Sequence, residues 1–346
     1  MARNEQRKKT NRVLILSTGG TIGMRAPKDG ALEPAHILQD LAQWIPELDQ
    51  LADYSVEVVA NVDSSQIKPD LWLTLARRIE RSVEASDCDG IVVLHGTDTM
   101  GFTASALSYL LPGLSLPVVL TGGQRPLAEP RTDARNNVLG AIETALHGPK
   151  EVLVFFNNLV FRGNRSSKTA IGDFDGFSSP NFPELGRAGI SWEWNKSLFW
   201  PETRRPSVFQ PIPDVLPSAP WVIPWVPGLD FSGLQPALAN QWAIILEAFG
   251  TGNLPVDEGL SEALSGYVAD GGMVFIRSQV PRGSIKLGTY RPGRALLEMG
   301  ARDGLDMTRE AMVTKLMVLK GYGLGRQKIG HMVGRNLVGE LTEPQP

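Results

Sequence analysis

Residues 13–24 read Val-Leu-Ile-Leu-Ser-Thr-Gly-Gly-Thr-Ile-Gly-Met. Four apolar residues in succession run straight into a hydroxyl- and glycine-rich turn, which reads as a buried strand closed by a loop. The same texture recurs at 91–94, 118–120 and 152–156, each closed by Gly, Thr or Asn. Between these runs, 69–84, 103–111 and 133–146 carry apolar residues at helical spacing. Strands alternating with helices predict an α/β fold, a parallel sheet covered on both faces. In such sheets ligands sit outside the carboxyl ends of the strands, so the loops after the strands are where chemistry is to be sought.

From about Trp192 to Pro227 the texture changes. Prolines stand at 201, 206, 211, 213, 217, 220, 224 and 227, and tryptophans at 192, 194, 200, 221 and 225. Proline at this density removes ladder and helix donors, so the stretch reads as an extended connection. The tryptophans argue that it is wrapped over the surface, because so much aromatic area is buried where it can be; an aromatic ligand platform is the alternative. Beyond it βα texture resumes, with a strand at 242–246, the loop 249–253, a helix at 261–270, a strand at 273–277 and a helix at 307–319. Asp306 stands near the start of that last helix, where a carboxylate suits the dipole. The expected organisation is a larger N-terminal parallel-sheet domain (12–195), a Pro/Trp-rich linker (196–227) and a smaller C-terminal α/β domain (228–346).

A chain of 346 residues accommodates two such domains. Apolar residues make up 42% and charged residues 21%, which suffices for sizeable cores without covalent staples. The net charge of −3 argues against a protein whose main work is coating nucleic acid or an anionic membrane. With Cys88 the single cysteine there is no disulfide framework, and the four histidines (His36, His95, His147, His331) form no metal-binding pattern. No metal or cofactor is expected. No apolar run reaches the ~18 residues that span a bilayer. The basic start (Arg3, Arg7, Lys8, Lys9, Arg12) is followed by too short an apolar stretch for a secretory signal, so residues 1–11 read as a solvated tail and the chain as cytoplasmic.

Two loops carry the chemical interest. The first, 17–24, lacks the spacing of a phosphate cradle. A nucleophile elbow tolerates it with threonine in place of serine, although that motif belongs mid-chain with its histidine following. A plain glycine turn is the third reading. The second loop is His95-Gly-Thr-Asp-Thr-Met100, a hydroxyl beside a carboxylate at a strand end. His95 by itself reads as a packed core histidine rather than a base, and Asp98 by itself as an N-cap for the helix that follows.

Taken together, Thr-Gly-Gly-Thr-Ile-Gly after the first strand and His-Gly-Thr-Asp-Thr-Met after a later one resemble the bacterial-type L-asparaginase family, its cytoplasmic (type I) branch most closely. The resemblance extends over nearly the whole chain, through Asp63-Ser64-Ser65 ahead of Trp72, the lysine segment 162–168, Ser179-Pro-Asn-Phe-Pro183, Gly250-Thr-Gly-Asn253, Leu305-Asp-Met-Thr308 and Gly339-Glu-Leu-Thr342. It implies a two-domain asparaginase-like fold that hydrolyses L-asparagine to L-aspartate and ammonia, with weak glutaminase activity. It further implies that Thr21 is the nucleophile and that Thr97, Asp98 and Lys168 form a second triad. Ser64 would bind the substrate α-carboxylate with Asp63 and Ser65 beside it, and Thr97 and Asp98 would also contact substrate, Asp98 holding the α-ammonium. Asn253 resembles the asparagine lent by a neighbouring subunit, which implies a homodimer or a dimer-of-dimers tetramer.

The chemistry is consistent with these roles. An amide is a poor electrophile, so a hydroxyl attacking it needs a base and the oxyanion needs a donor. Lys168 serves as that base only when neutral, and Asp98 pulls toward the charged form. One position departs from the family: the lid tyrosine ten residues after the nucleophile is Ala31, and Tyr290, in Gly288-Thr-Tyr-Arg-Pro-Gly293, is the substitute the resemblance suggests. The positions resembling a second, regulatory asparagine site are Glu247 and Val280, so a carboxylate is expected to face an effector carboxylate and saturation to be hyperbolic. Two other readings share the motifs: the amidase component of a tRNA-dependent amidotransferase, disfavoured by the eleven residues ahead of the first strand, and a non-catalytic amino-acid-binding protein.

Overall fold

The computed structural model describes residues 11–25, 33–34, 41–201, 210–231, 233 and 235–343. Ala31 and, apart from Asn11, the stretch read as a solvated tail lie outside the described residues. The first sheet contains β1 (Arg12–Gly19), β2 (Asp53–Val62), β3 (Gly90–Leu94), β4 (Val118–Thr121), β5 (Val152–Phe156), β6 (Leu159–Arg162), β7 (Gly186–Ala188) and β8 (Trp192–Trp194). Their spatial order is β8-β7-β6-β5-β4-β3-β1-β2. The pairs from β2 through β5 are parallel, and β6, β7 and β8 extend the sheet antiparallel. The chain runs from β1 to β2 on one side and then returns to β3 on the other. The crevice at the carboxyl end of β1 is therefore a topological switch point, where open α/β sheets bind ligands.

Helices α1 (Pro69–Ala85), α2 (Met100–Leu110) and α3 (Ala134–His147) cover this sheet. Successive side chains of a strand point to opposite faces, so Leu14 and Leu16 join one core with Trp72, Ile79 and Leu107, while Val13 and Ile15 join the other with Val138 and Ile142. Burial on both faces is why the central strands read as unbroken apolar runs.

The second sheet is all parallel, in the order β9 (Trp221–Pro224), β10 (Ala243–Ala248), β11 (Met273–Ser278), β12 (Arg302–Asp303). Around it lie α4 (Glu258–Ala269), α5 (Arg291–Glu298), α6 (Arg309–Gly321) and α7 (Arg326–Val333). β9 lies inside the interval marked as linker by its prolines; it tolerates Pro224 because it is an edge strand at the end of its ladder. Trp192 and Trp194 stack with ring centroids 4.9 Å apart at the opposite edge of the molecule's first sheet, and Trp225 is buried against Phe231.

Asp306 does not serve the dipole of α6. Thr308 caps that helix, its Oγ1 accepting from Ala311 N at 3.1 Å. Asp306 is instead buried, 2.9 Å from the Arg165 guanidinium and accepting from Thr342 N. Arg165 also donates to Gly339 O at 2.8 Å, so the C-terminal segment is tied directly to the segment that bears Lys168. Among the described residues no helix is long and apolar enough to cross a membrane.

Candidate active site

The first glycine turn is shaped by contact. Gly19 and Gly20 have φ of 95° and 85°, which L side chains rarely adopt. A Cβ on Gly19 would lie 2.6 Å from Val62 N, and one on Gly20 would lie 2.4 Å from both N and Cα of Gly96. These approaches lay the turn that begins with Thr21 against the loops after β2 and β3. The turn is completed by Gly23 N donating to Gly20 O, and Ile22 O accepts from Leu127 N in the loop after β4. Thr21 itself is half-buried.

The loop after β2 arrives from the other side. A Cβ on Gly96 would lie 2.7 Å from both Cβ and Oγ of Ser64, which is buried, and Thr99 Oγ1 donates to Ser64 O at 2.8 Å. Asp63 caps its own short turn, Oδ1 accepting from Ser65 N at 2.8 Å. Those bonds from Ser65 hold its carboxyl below the ordinary value. Ser65 is exposed at the rim.

His95 is structural. It is fully buried, with Nδ1–H donating to Gly96 O at 2.7 Å and Nε2 accepting from Thr103 Oγ1 at 2.8 Å; Thr103 in turn accepts from Trp72 Nε1. Burial pushes its pKa down to about 4 against the opposing pull of the Gly96 bond, so the ring is neutral. It fixes the backbone that presents Thr97. Asp98 is likewise not the cap of α2: Thr99 occupies that position, and Asp98 turns outward.

Lys168 comes from the two-residue strand Ser167–Lys168, which pairs antiparallel with Phe177–Ser178. Its Nζ donates to Thr97 Oγ1 at 2.7 Å and to Asp98 Oδ1 at 2.7 Å. The lysine side chain is 16% exposed and the Asp98 side chain 62%, so the pair has a dry end and a wet end. Because Lys168 donates to Thr97, the Thr97 hydroxyl proton is free to point elsewhere, and Gln124 Oε1 accepts it at 3.4 Å. The Gln124 amide nitrogen holds Ala170 O and Asp173 O, in the loop after Lys168. Gln124 belongs to none of the motifs read from the sequence, although it follows Gly122-Gly123 at the carboxyl end of β4, where the strand-end rule points.

Thr21, Ser64, Thr97, Asp98 and Lys168 are thus drawn from four loops to one edge of the sheet. Among the described residues no side-chain hydrogen bond or ion pair joins Asn253 or Tyr290 to that cluster. Asn253 closes a tight turn after β10, exchanging backbone bonds with Phe249, and Tyr290 is 56% exposed ahead of α5. Glu247 does not face an open site. It is buried in an ion pair with Arg277 and accepts from Arg309 at 2.7 and 2.8 Å. Burial raises its pKa, but the two guanidiniums outweigh that and leave it lowered. The expected clash of like charges therefore does not arise, since the carboxylate is already neutralised. Val280 is half exposed in the loop after β11, its N–H donating to Ser278 Oγ. Among the described residues no group of three or more His, Cys, Asp or Glu side chains is placed to hold a metal ion.

A parallel sheet whose carboxyl ends gather threonine hydroxyls, a lysine ammonium and a carboxylate, with a second α/β domain strapped to it, defines a two-domain α/β amidohydrolase. Residues 12–199 match the family model for the asparaginase N-terminal domain and residues 222–333 that for the glutaminase/asparaginase C-terminal domain, and the chain belongs to the asparaginase family. It is 37% identical over 336 residues to L-asparaginase 1 of Escherichia coli (strain K12), covering 95% of this chain and 98% of that one. It is also 31% identical to a glutamyl-tRNA(Gln) amidotransferase subunit from Saccharolobus solfataricus, covering 95% of this chain and 76% of that protein. The crystal structure of L-asparaginase I from Vibrio cholerae superposes with a TM-score of 0.86 at 34% identity, over 96% of this chain and 99% of that one.

Proposed function

We propose that this protein hydrolyses L-asparagine to L-aspartate and ammonia through an acyl-threonine intermediate on Thr21. The observation that carries the reading is Lys168 Nζ at 2.7 Å from both Thr97 Oγ1 and Asp98 Oδ1, in the loop whose Gly96 lies against Gly20, the residue before Thr21. Thr21 Oγ attacks the side-chain amide carbon, the C–N bond breaks as nitrogen takes a proton and leaves as ammonia, and water then cleaves the threonine ester. Lys168, held by Asp98, orients Thr97 and supplies positive charge where negative charge develops. Thr97 relays the proton of the attacking hydroxyl to the departing amide nitrogen. Ser64 and Asp98 grip the α-carboxylate and α-ammonium, with Asp63 and Ser65 supporting that loop, and the grip fixes the amide for attack. Asparagine is preferred over glutamine.

Asn253 and Tyr290 belong to this reading as residues brought in from outside the cluster. Asn253 is supplied to the site of a second copy, which makes the working unit a homo-oligomer, and Tyr290 takes the proton-relay role that Ala31 cannot fill. Tyr290→Phe then lowers kcat ~10²-fold with little change in asparagine binding. The protein works in the cytoplasm, a reading supported by its likeness to a probable cytoplasmic L-asparaginase from Campylobacter jejuni, 25% identical with a TM-score of 0.77.

The test is ammonia release from asparagine, with glutamine as the comparison substrate and no tRNA present. Release that needed a tRNA would favour the amidotransferase reading, which the 31% identical relative supports. An asparagine-dependent rise in melting temperature without ammonia would mark a binding protein and overturn the proposal.

A further inference from the structure

The segment that carries Lys168 is held from behind. Ser167 Oγ donates to Glu310 Oε1 at 2.6 Å, a bond that joins the first turn of α6 in the C-terminal domain to the strand bearing the lysine. The Glu310 side chain also lies close to the start of α2. A Cβ built on Gly101, in the first turn of α2 just after Thr97 and Asp98, would lie 3.3 Å from both Glu310 Cγ and Ser166 O. Hence the Glu310 side chain, the Ser166 backbone and the start of α2 meet at one point. The other carboxylate oxygen, Oε2, is buried and makes no hydrogen bond to protein. An oxygen left in that state costs stability rather than adding it, so packing alone gives no reason for a carboxylate here.

Neighbouring residues on an extended strand point to opposite faces. Ser167 faces α6, and Lys168 faces Thr97 and Asp98. Pinning the serine therefore sets where the lysine stem begins. That matters because lysine carries a flexible four-carbon stem with large rotamer freedom, and its ammonium stays on two oxygens only when the backbone is fixed.

We infer that Glu310, acting through Ser167, is a positioning residue for Lys168. The inference rests on the proposed role of Lys168 in amide hydrolysis. Neither Glu310 nor Ser167 contacts substrate in this arrangement, so their loss affects the rate of the chemical step and leaves ground-state binding nearly intact. Displacement of a catalytic group by 1 Å costs up to ~10²-fold in rate.

The experiment compares asparagine turnover and thermal melting in the full-length protein for Ser167→Ala, Glu310→Ala, the double variant, Glu310→Gln and Lys168→Met. Ser167→Ala and Glu310→Ala are each expected to lower kcat ~10-fold while KM stays within about twofold. The double variant should be no slower than the slower single one, because both remove the same link. Glu310→Gln keeps an oxygen acceptor in place and should recover kcat to within about threefold of wild type. Should Glu310→Ala fold poorly, Ser167→Ala decides alone, since it deletes one half-buried hydroxyl. Unchanged kcat in Ser167→Ala, losses that multiply in the double variant, or an effect confined to KM each overturn the inference. Lys168→Met keeps the two claims apart: if it is inactive while Ser167→Ala is normal, the site reading stands and Glu310 drops out. If Lys168→Met turns over asparagine normally, the site reading itself fails.

Discussion

Gly20 lies so close to Gly96 that a Cβ on Gly20 would stand 2.4 Å from the Gly96 nitrogen. Two loops from parallel strands meet there with no side chain between them, and the contact brings the turn that begins with Thr21 to the loop that presents Thr97. Gly228 has nearly the same backbone angle, φ 87°, but open space where its Cβ would lie. Gly228→Ala should therefore cost only the left-handed strain, ~1–2 kcal/mol. Gly20→Ala adds a backbone clash and should lower the melting temperature by more than ~5 °C and kcat by at least ~10-fold. Calorimetry and ammonia release on the two variants check this; equal effects would show that the Gly20–Gly96 approach is unimportant.

Thr21→Ala removes one half-buried hydroxyl from a turn whose shape its glycines determine. Ammonia release should fall at least ~10³-fold, as expected when a nucleophile is deleted. The melting temperature should stay within ~3 °C, because little packing is lost. A variant retaining a tenth of the wild-type rate would remove Thr21 from the nucleophile's role.

Thr97 and Lys168 are in contact and should behave as one unit. Thr97→Val and Lys168→Met should each lower kcat ~10²-fold or more, and the double variant should lie within about threefold of the slower single one. Losses that multiply would mean that the two residues act separately.

His95 predicts a pH dependence of stability. Its pKa is about 4 in the folded protein, against ~6.5 for an unperturbed histidine. Below pH 6.5 the unfolded chain therefore takes up a proton that the folded chain does not, so this contribution is complete above that pH and is lost as the pH falls toward 4. The full span corresponds to about 3 kcal/mol. Asp63 and Glu247, both lowered, act in the same direction only as the pH enters the carboxylate range. Glu80 and Asp303, whose carboxyls burial raises, act in the opposite direction, so the difference between the wild type and a His95 variant reports the histidine. Denaturant unfolding between about pH 6.5 and 5 should show stability falling with pH in the wild type and a flatter profile in His95→Gln. A slope that survives the substitution would assign it to another group.

What the sequence settles by itself is local or periodic. Apolar runs such as 13–16 and 152–156 announce central strands because both faces of a covered parallel sheet must be apolar, and the rule that ligands bind at strand ends then points to the loops that hold Thr21, Thr97 and Asp98, whose individual roles only the family resemblance implies. β2 escapes that reading because it is an edge strand with alternating, half-exposed residues, and β9 because prolines disguise it. Tertiary structure decided the rest. The ion pair that neutralises Glu247, the removal of Asp306 from the helix dipole to Arg165, and the Ser167–Glu310 bond join residues with no local signal between them. Ser167 and Glu310 stand 143 positions apart and Arg165 and Asp306 stand 141 apart. A charged side chain's role depends on which opposite charge or hydrogen-bond donor the folded chain brings within about 3 Å, and spacing along the sequence does not carry that distance.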